Sequence, residues 1–194
     1  MTRQNVTNRT YSDGRGTMSA VTGTTGYMPD LPVRLSGALL ALAISTVHVA
    51  DQGGITAMAS PSWIGWSYRL IEVGGVLTAL ALIIPWRMLL SRSATLSRSP
   101  LMPASAGLGW AAGVLLGLGP FVAYIASRSV GLPGDPGDVG NWGYWVGTVS
   151  LFVEASLVVL SATVLVALWQ SSRTVRAQLL PAELAEHAAE SRSR

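Results

Sequence analysis

The 194-residue chain contains no cysteine, no lysine and few charged residues of any kind. The absence of cysteine excludes disulfides, iron–sulfur clusters, thiolate zinc sites and thiol catalysis, and it leaves the redox compartment undetermined. All 13 basic residues are arginine, which, with many Ala, Gly and Val, indicates the codon bias of a high-GC bacterial genome. Charged residues make up 12% of the chain, whereas soluble domains contain about 25%.

Long apolar runs explain this deficit of charge. Four runs approach or exceed the roughly 20 residues that a helix needs to cross a hydrocarbon core. They are apolar on all sides, unlike the amphipathic helices of a soluble bundle. Because the connections are short, the sequence predicts an all-α integral membrane protein, a four-helix up-down-up-down bundle. The predicted transmembrane spans are residues 31–50, 64–90, 105–126 and 144–169.

Polar segments flank the predicted transmembrane domain, residues 31–170. Residues 1–30 are rich in Thr, Gly and Asn and lack the features of a secretory signal peptide. We therefore expect a disordered leader there. Residues 171–194 are predicted to form a tail with a short helix.

The arginines predict the orientation of the bundle. Eleven of the 13 lie in the leader, the second connection, the tail or the span ends beside them. The first and third connections carry acidic residues, and the remaining two arginines, Arg69 and Arg128, lie at or inside the helix borders beside them. By the positive-inside rule, both termini are predicted to be cytoplasmic, in the plasma membrane of a bacterium. The arginines form no compact patch, so the sequence gives no support to a nucleic-acid partner.

Polar side chains within the spans gather toward the predicted extracytoplasmic ends. The candidate pocket residues are His48, Asp51, Arg69, Glu72, Tyr124, Arg128, Ser150 and Glu154. Glu154 is the deepest, about 14 Å from the helix end, where a charge costs at least ~2.5 kcal/mol. Two readings stay open: an outward-facing ligand pocket, or a structural network in which Arg69 neutralises Glu72 and Arg128 pairs with Glu154 or Asp138.

Cofactor binding is not the preferred expectation. If a metal binds, the candidate ligands are His48, Glu72 and Glu154, but a single membrane histidine is poor for copper or zinc. Bis-histidine haem is excluded because His187 lies in the tail. Contact with a singly ligated haem or a quinone stays open, as does proton transfer through Glu154.

Two glycine patterns predict local structure. Gly109, Gly113 and Gly117 recur every four residues, which leaves a groove for a neighbouring helix, and packing within one chain is favoured over dimerisation. The turn-forming residues of the third connection, Gly131, Pro133 and Gly134, predict a structured cap on the bundle.

The segments SRSVGLPG at 127–134 and SLFVE at 150–154 carry a family resemblance. They resemble small, uncharacterised four-helix membrane proteins of actinobacteria, in which an S/T-R-x-x-GLPG turn precedes a last helix with a Ser-Leu-x-x-Glu pattern. His48 and Glu72 match the polar positions expected in that family. The resemblance implies a fold and a candidate site but no reaction. Many members place a glutamate after the turn, where this chain has Asn141-Trp142, and this departure weakens a metal site.

Three classes of function stay open. The preferred class is a non-enzymatic membrane component: an accessory subunit, a sensor or a small-ligand binder. The alternatives are a redox or metal-handling protein that binds haem, copper or quinone, and an oligomeric proton-coupled transporter. The chain has no P-loop, G-x-S-x-G or H-E-x-x-H motif, which argues against an enzyme of those types. Expected partners are the lipid bilayer and either another membrane protein or a second copy of this chain.

Overall fold

The computed structural model describes residues 29–84 and 102–192, and these contain α-helices and one short 3-10 helix but no named strand. The predicted leader lies almost entirely outside the described residues, as does the second connection. The elements are α1 (Leu31–Asp51), α2 (Ser62–Ile83), α3 (Met102–Ser129), the 3-10 helix (Pro136–Asp138) and α4 (Trp145–Arg192).

Each of the four helices contains a stretch long and apolar enough to cross a membrane. The stretches are Leu31–Asp51, Ser62–Ile83, Gly107–Ser129 and Trp145–Thr174. Large apolar side chains are exposed along all of them, for example Leu39, Leu70, Leu115 and Phe152. Monomeric soluble proteins rarely expose so much contiguous apolar surface. The prediction of an all-helical fold with four helices long and apolar enough to cross a membrane is therefore confirmed for the described residues, with differences of a few residues at the span ends.

Helix α4 continues through the predicted tail to Arg192. The sequence predicts a short helix in the tail, after the last span. Residues 171–180 contain neither glycine nor proline, so the last span continues into the tail, and Pro181 is accommodated within the same helix. The tail helix is thus part of α4.

The buried core lies between the four helices and holds small and large side chains together. Its buried members include Ala38, Ala41, Ile44, Leu82, Trp110, Leu157 and Val164. Near the start of α1, Arg34 donates hydrogen bonds to the carbonyls of Leu82, Ile83 and Ile84 at the end of α2, at 2.7, 2.9 and 3.1 Å. These bonds satisfy carbonyls that have no partner within the helix, and they place the two helix ends side by side.

Two glycines of α3 allow it to approach α4 closely. A Cβ atom on Gly113 would lie 2.5 Å from the Ser161 hydroxyl, and one on Gly117 would lie 2.7 Å from the backbone oxygen of Glu154. Gly109 instead faces α2, where its nearest neighbour would be Leu82 at 3.3 Å. The predicted glycine stripe thus contacts two helices of the same chain.

The connection between α3 and α4 folds over one end of the bundle, together with residues 52–61 between α1 and α2. Gly131 and Gly134 have φ values of +82° and +81°, a conformation that L side chains rarely adopt. The Trp63 indole donates a hydrogen bond to the Pro133 carbonyl at 3.1 Å, which ties this connection to α2. We call this end of the bundle the polar end.

Candidate ligand-binding cavity

A cavity of about 390 Å³ lies at the polar end, between the four helices. Its volume is within the range of small-molecule sites, about 300–1,000 Å³. We call it the polar cavity. The side chains that give it its chemistry include His48, Asp51, Tyr124, Arg128, Ser150 and Glu154.

Two tyrosines from other helix ends hold the Asp51 carboxylate. Tyr68 donates to one oxygen at 2.5 Å, and Tyr144 donates to the other at 2.7 Å. The hydrogen bond to Asp51, helped by partial burial, raises the pKa of Tyr144 to about 12. Its hydroxyl therefore stays protonated and remains a donor at physiological pH. Asp51 thus links α1 to α2 and to the residue just before α4.

Arg128 is buried in the cavity wall, with 6% of its surface exposed. Its guanidinium forms an ion pair with Asp138 and lies 4.8 Å from the centre of the Tyr124 ring. It lies 5.8 Å from the Tyr144 ring. The arginine of α3 therefore pairs with the connection that caps the bundle and not with Glu154.

Glu154 is almost completely buried, with 1% of its surface exposed, and lines the deep part of the cavity. The Ser150 hydroxyl donates to its Oε1 at 2.5 Å, and His48 Nε2 lies 3.7 Å from the same oxygen. Within the described part of the chain, its Oε2 has no hydrogen-bond partner. A buried acceptor without a partner is costly, and this oxygen is open to a further hydrogen bond.

The position of His48 is set by its own helix. Its Nδ1 lies 2.9 Å from the Ile44 carbonyl oxygen. Since a carbonyl only accepts, Nδ1 carries a proton in this contact, and Nε2 is the nitrogen that faces Glu154. The Tyr68 ring lies against the imidazole, with the ring centres 5.3 Å apart.

Two of the predicted pocket residues, Arg69 and Glu72, do not line the polar cavity. Arg69 donates to Glu72 Oε2 at 2.5 Å and also to the Ala57 carbonyl. Gln52 donates to Glu72 Oε1 at 2.7 Å. We call these four residues the Arg69 cluster. Both oxygens of Glu72 thus have hydrogen-bond partners within the protein. The contact between Arg69 and Glu72 is the one expected if the polar residues form a structural network.

The structure therefore divides the eight candidate pocket residues between two sites: six line the polar cavity, and two belong to the Arg69 cluster. The candidate metal ligands do not come together: Glu72 is held in the Arg69 cluster, away from His48 and Glu154. Among residues 29–84 and 102–192, no group of three His, Cys, Asp or Glu side chains is placed to hold a metal ion.

Of the aromatic residues that line the cavity, the sequence analysis selects Tyr124 but not Trp63, Tyr68 or Tyr144. Tyr68 and Tyr144 contact Asp51, and Trp63 also lines the wall. Trp63 and Tyr144 lie at helix ends and Tyr68 lies less than two turns inside α2. Tyrosine and tryptophan are common in this part of membrane proteins. An aromatic residue that lines the cavity therefore cannot be distinguished by sequence from one that only marks the membrane edge.

The fold and the cavity define a class: a small multi-pass helical membrane protein with a polar cavity at one end of its bundle. No protein-family profile, curated protein or solved structure matches the chain.

Proposed function

We propose that this protein is a component of a bacterial plasma membrane that binds a small ligand in the polar cavity, as a sensor or an accessory subunit. The observation that carries the proposal is the Glu154 carboxylate, which is 1% exposed, lines a cavity of about 390 Å³ and has one oxygen without a hydrogen-bond partner among the described residues. A purely structural carboxylate would have both oxygens satisfied, as Glu72 has.

The proposed orientation places the polar end on the extracytoplasmic side and both termini in the cytoplasm. The distribution of arginine along the sequence supports this orientation. The contacts between helix ends, such as Arg34 with the end of α2, support the up-down-up-down arrangement. The ligand would then enter from outside the cell.

The resemblance to small actinobacterial four-helix proteins belongs to the same proposal. It adds support for the fold and for Glu154 as a site residue. Of the alternative functions, metal handling loses its proposed ligand set because Glu72 bonds elsewhere. Within residues 29–84 and 102–192, no contact favours a haem or quinone protein, or an oligomeric transporter, over a ligand binder.

The proposal is tested by blocking the cavity. Ala123 lines it, whereas the neighbouring exposed residue Val122 does not. The full-length protein in lipid nanodiscs would be titrated with three probes of one size: benzylammonium, benzyl alcohol and benzoate. We expect saturable binding of at least one probe, followed by isothermal calorimetry, that Ala123→Phe removes and the matched control Val122→Phe keeps. If no probe shows binding that depends on Ala123, the proposed function is wrong.

A further inference from the structure

We propose that the ligand of the polar cavity is a small organic cation whose N–H group donates a hydrogen bond to Glu154 Oε2. This inference rests on the proposed function and specifies its substrate class. Three independent features of the cavity support it: the balance of charge, the free carboxylate oxygen and the aromatic walls.

The charges around the cavity are mainly negative. Four carboxylates line it, and the only guanidinium among the described lining residues is that of Arg128. Arg128 and Asp138 neutralise each other in an ion pair, which leaves three of the four carboxylates without a guanidinium partner. The carboxylates that line the cavity are Asp51, Asp135, Asp138 and Glu154. A site with this excess of negative charge attracts cations and repels anions.

Among the described residues, Glu154 has neither a hydrogen bond at Oε2 nor a cation within hydrogen-bond distance. Its nearest basic atom among the described residues is His48 Nε2, which at 3.7 Å is too far for a hydrogen bond. Ser150 donates to Oε1 but brings no charge. An ammonium N–H at Oε2 would supply both, since charge-assisted hydrogen bonds are about twice as strong as neutral ones.

The walls indicate an organic cation and not a metal ion. The rings of Trp63, Tyr68, Tyr124 and Tyr144 surround the cavity, and aromatic faces attract cations within about 6 Å. Arg128 already uses two of these rings in this way. A bare metal ion would need several oxygen ligands at one point, but the described carboxylates are not grouped to provide them. The site suits a cation that carries its own N–H groups and an apolar body.

The experiment compares affinities for the same three probes in the full-length protein in nanodiscs. Benzylammonium is expected to bind more tightly than benzyl alcohol, and benzoate is expected not to bind. Glu154→Gln removes the charge with almost no change of shape, and it should weaken benzylammonium binding by about 10- to 100-fold. The matched control, Glu72→Gln, alters a carboxylate outside the cavity and should leave the affinity unchanged within about twofold, since it removes no ligand contact.

The outcomes separate this inference from the proposed function. If benzyl alcohol or benzoate binds as tightly as benzylammonium, and Ala123→Phe removes that binding, the cavity binds ligands but the cation assignment is wrong. If Glu154→Gln leaves benzylammonium affinity unchanged, the assignment of Oε2 is wrong. If Glu154→Gln does not fold, Glu154→Asp takes its place. The shorter side chain keeps the charge but moves it away from the ligand. Benzylammonium affinity should therefore fall severalfold, while benzyl alcohol affinity stays the same. Equal losses for the two probes would contradict the proposal.

Discussion

Two glutamates are buried among the described residues near the polar end of the bundle, and they have different surroundings. Glu72 accepts hydrogen bonds at both oxygens, from Arg69 and Gln52, whereas Glu154 accepts one from Ser150 and leaves the other oxygen facing the cavity. The cause is local: the residue three positions before Glu72 is an arginine, and the residue three positions before Glu154 is Leu151. A buried carboxylate with a cation on its own helix face is a structural group, and one without it is available to a ligand.

The largest expected effect on stability comes from breaking the ion pair of Glu72. Arg69→Leu leaves Glu72 buried without its cation, and we expect the free energy of unfolding to fall by about 3 kcal/mol, the lower end for a broken buried pair because Arg69 is partly exposed. Denaturant unfolding in detergent, followed by tryptophan fluorescence, measures the change.

Glu154→Gln serves as the comparison for Arg69→Leu. It removes no protein cation from hydrogen-bond distance, so its unfolding free energy should stay within about 1 kcal/mol of wild type. Equal losses in the two variants would show that both glutamates are structural.

The second-largest expected effect on stability concerns the close approach of α3 to the backbone of Glu154. A methyl group at Gly117 would lie 2.7 Å from the Glu154 carbonyl oxygen, so Gly117→Ala must push the helices apart. We expect a loss of about 2 kcal/mol in the free energy of unfolding and weaker benzylammonium binding. Gly119→Ala is the matched control, since no atom lies within 4 Å of the added methyl group. Similar stability of the two variants would contradict this close packing.

A smaller effect concerns the tyrosines at the rim. Tyr144→Phe removes one donor from Asp51 and should lower the free energy of unfolding by about 1 kcal/mol at neutral pH. The folded pKa of Tyr144, about 12, is higher than the ordinary value of 10. Its contribution is therefore complete below pH 10 and is lost as the pH rises from 10 toward 12. The stability difference between wild type and Tyr144→Phe, measured by thermal unfolding at several pH values, should shrink across that interval. A difference that stays constant would show that Tyr144 does not donate to Asp51.

The smallest effect concerns the cap over the cavity. Trp63→Phe removes the hydrogen bond to Pro133 and keeps an aromatic ring in the wall. We expect the free energy of unfolding to fall by about 0.5 kcal/mol, since the indole is partly exposed. We also expect faster exchange of the backbone amides of residues 131, 132 and 134. Hydrogen-exchange mass spectrometry measures the second effect, and unchanged exchange rates would show that this bond does not hold the connection.

The sequence predicts the helices well because a membrane span has a strong one-dimensional signal of length and hydrophobicity. It also predicts which polar residues lie near the same end of the bundle. The partners of those residues are harder to predict, because they depend on the rotation of each helix. The spacing of Arg69 and Glu72 indicates their contact directly. No spacing in the sequence indicates that Tyr144 reaches Asp51, or that Arg128 chooses Asp138 over Glu154.

The most direct test of the central claim uses the absence of cysteine, since any single introduced cysteine is unique in the chain. Ser150 lines the polar cavity beside Glu154, whereas Ser161 is completely buried on the same helix outside it. The measurement is the rate at which methanethiosulfonate ethyltrimethylammonium, a membrane-impermeant quaternary cation, labels Ser150→Cys and Ser161→Cys from the extracytoplasmic side of spheroplasts. The account predicts rapid labelling of Ser150→Cys that benzylammonium slows, and almost none of Ser161→Cys. Equal labelling of the two variants, or no protection by benzylammonium, would contradict it.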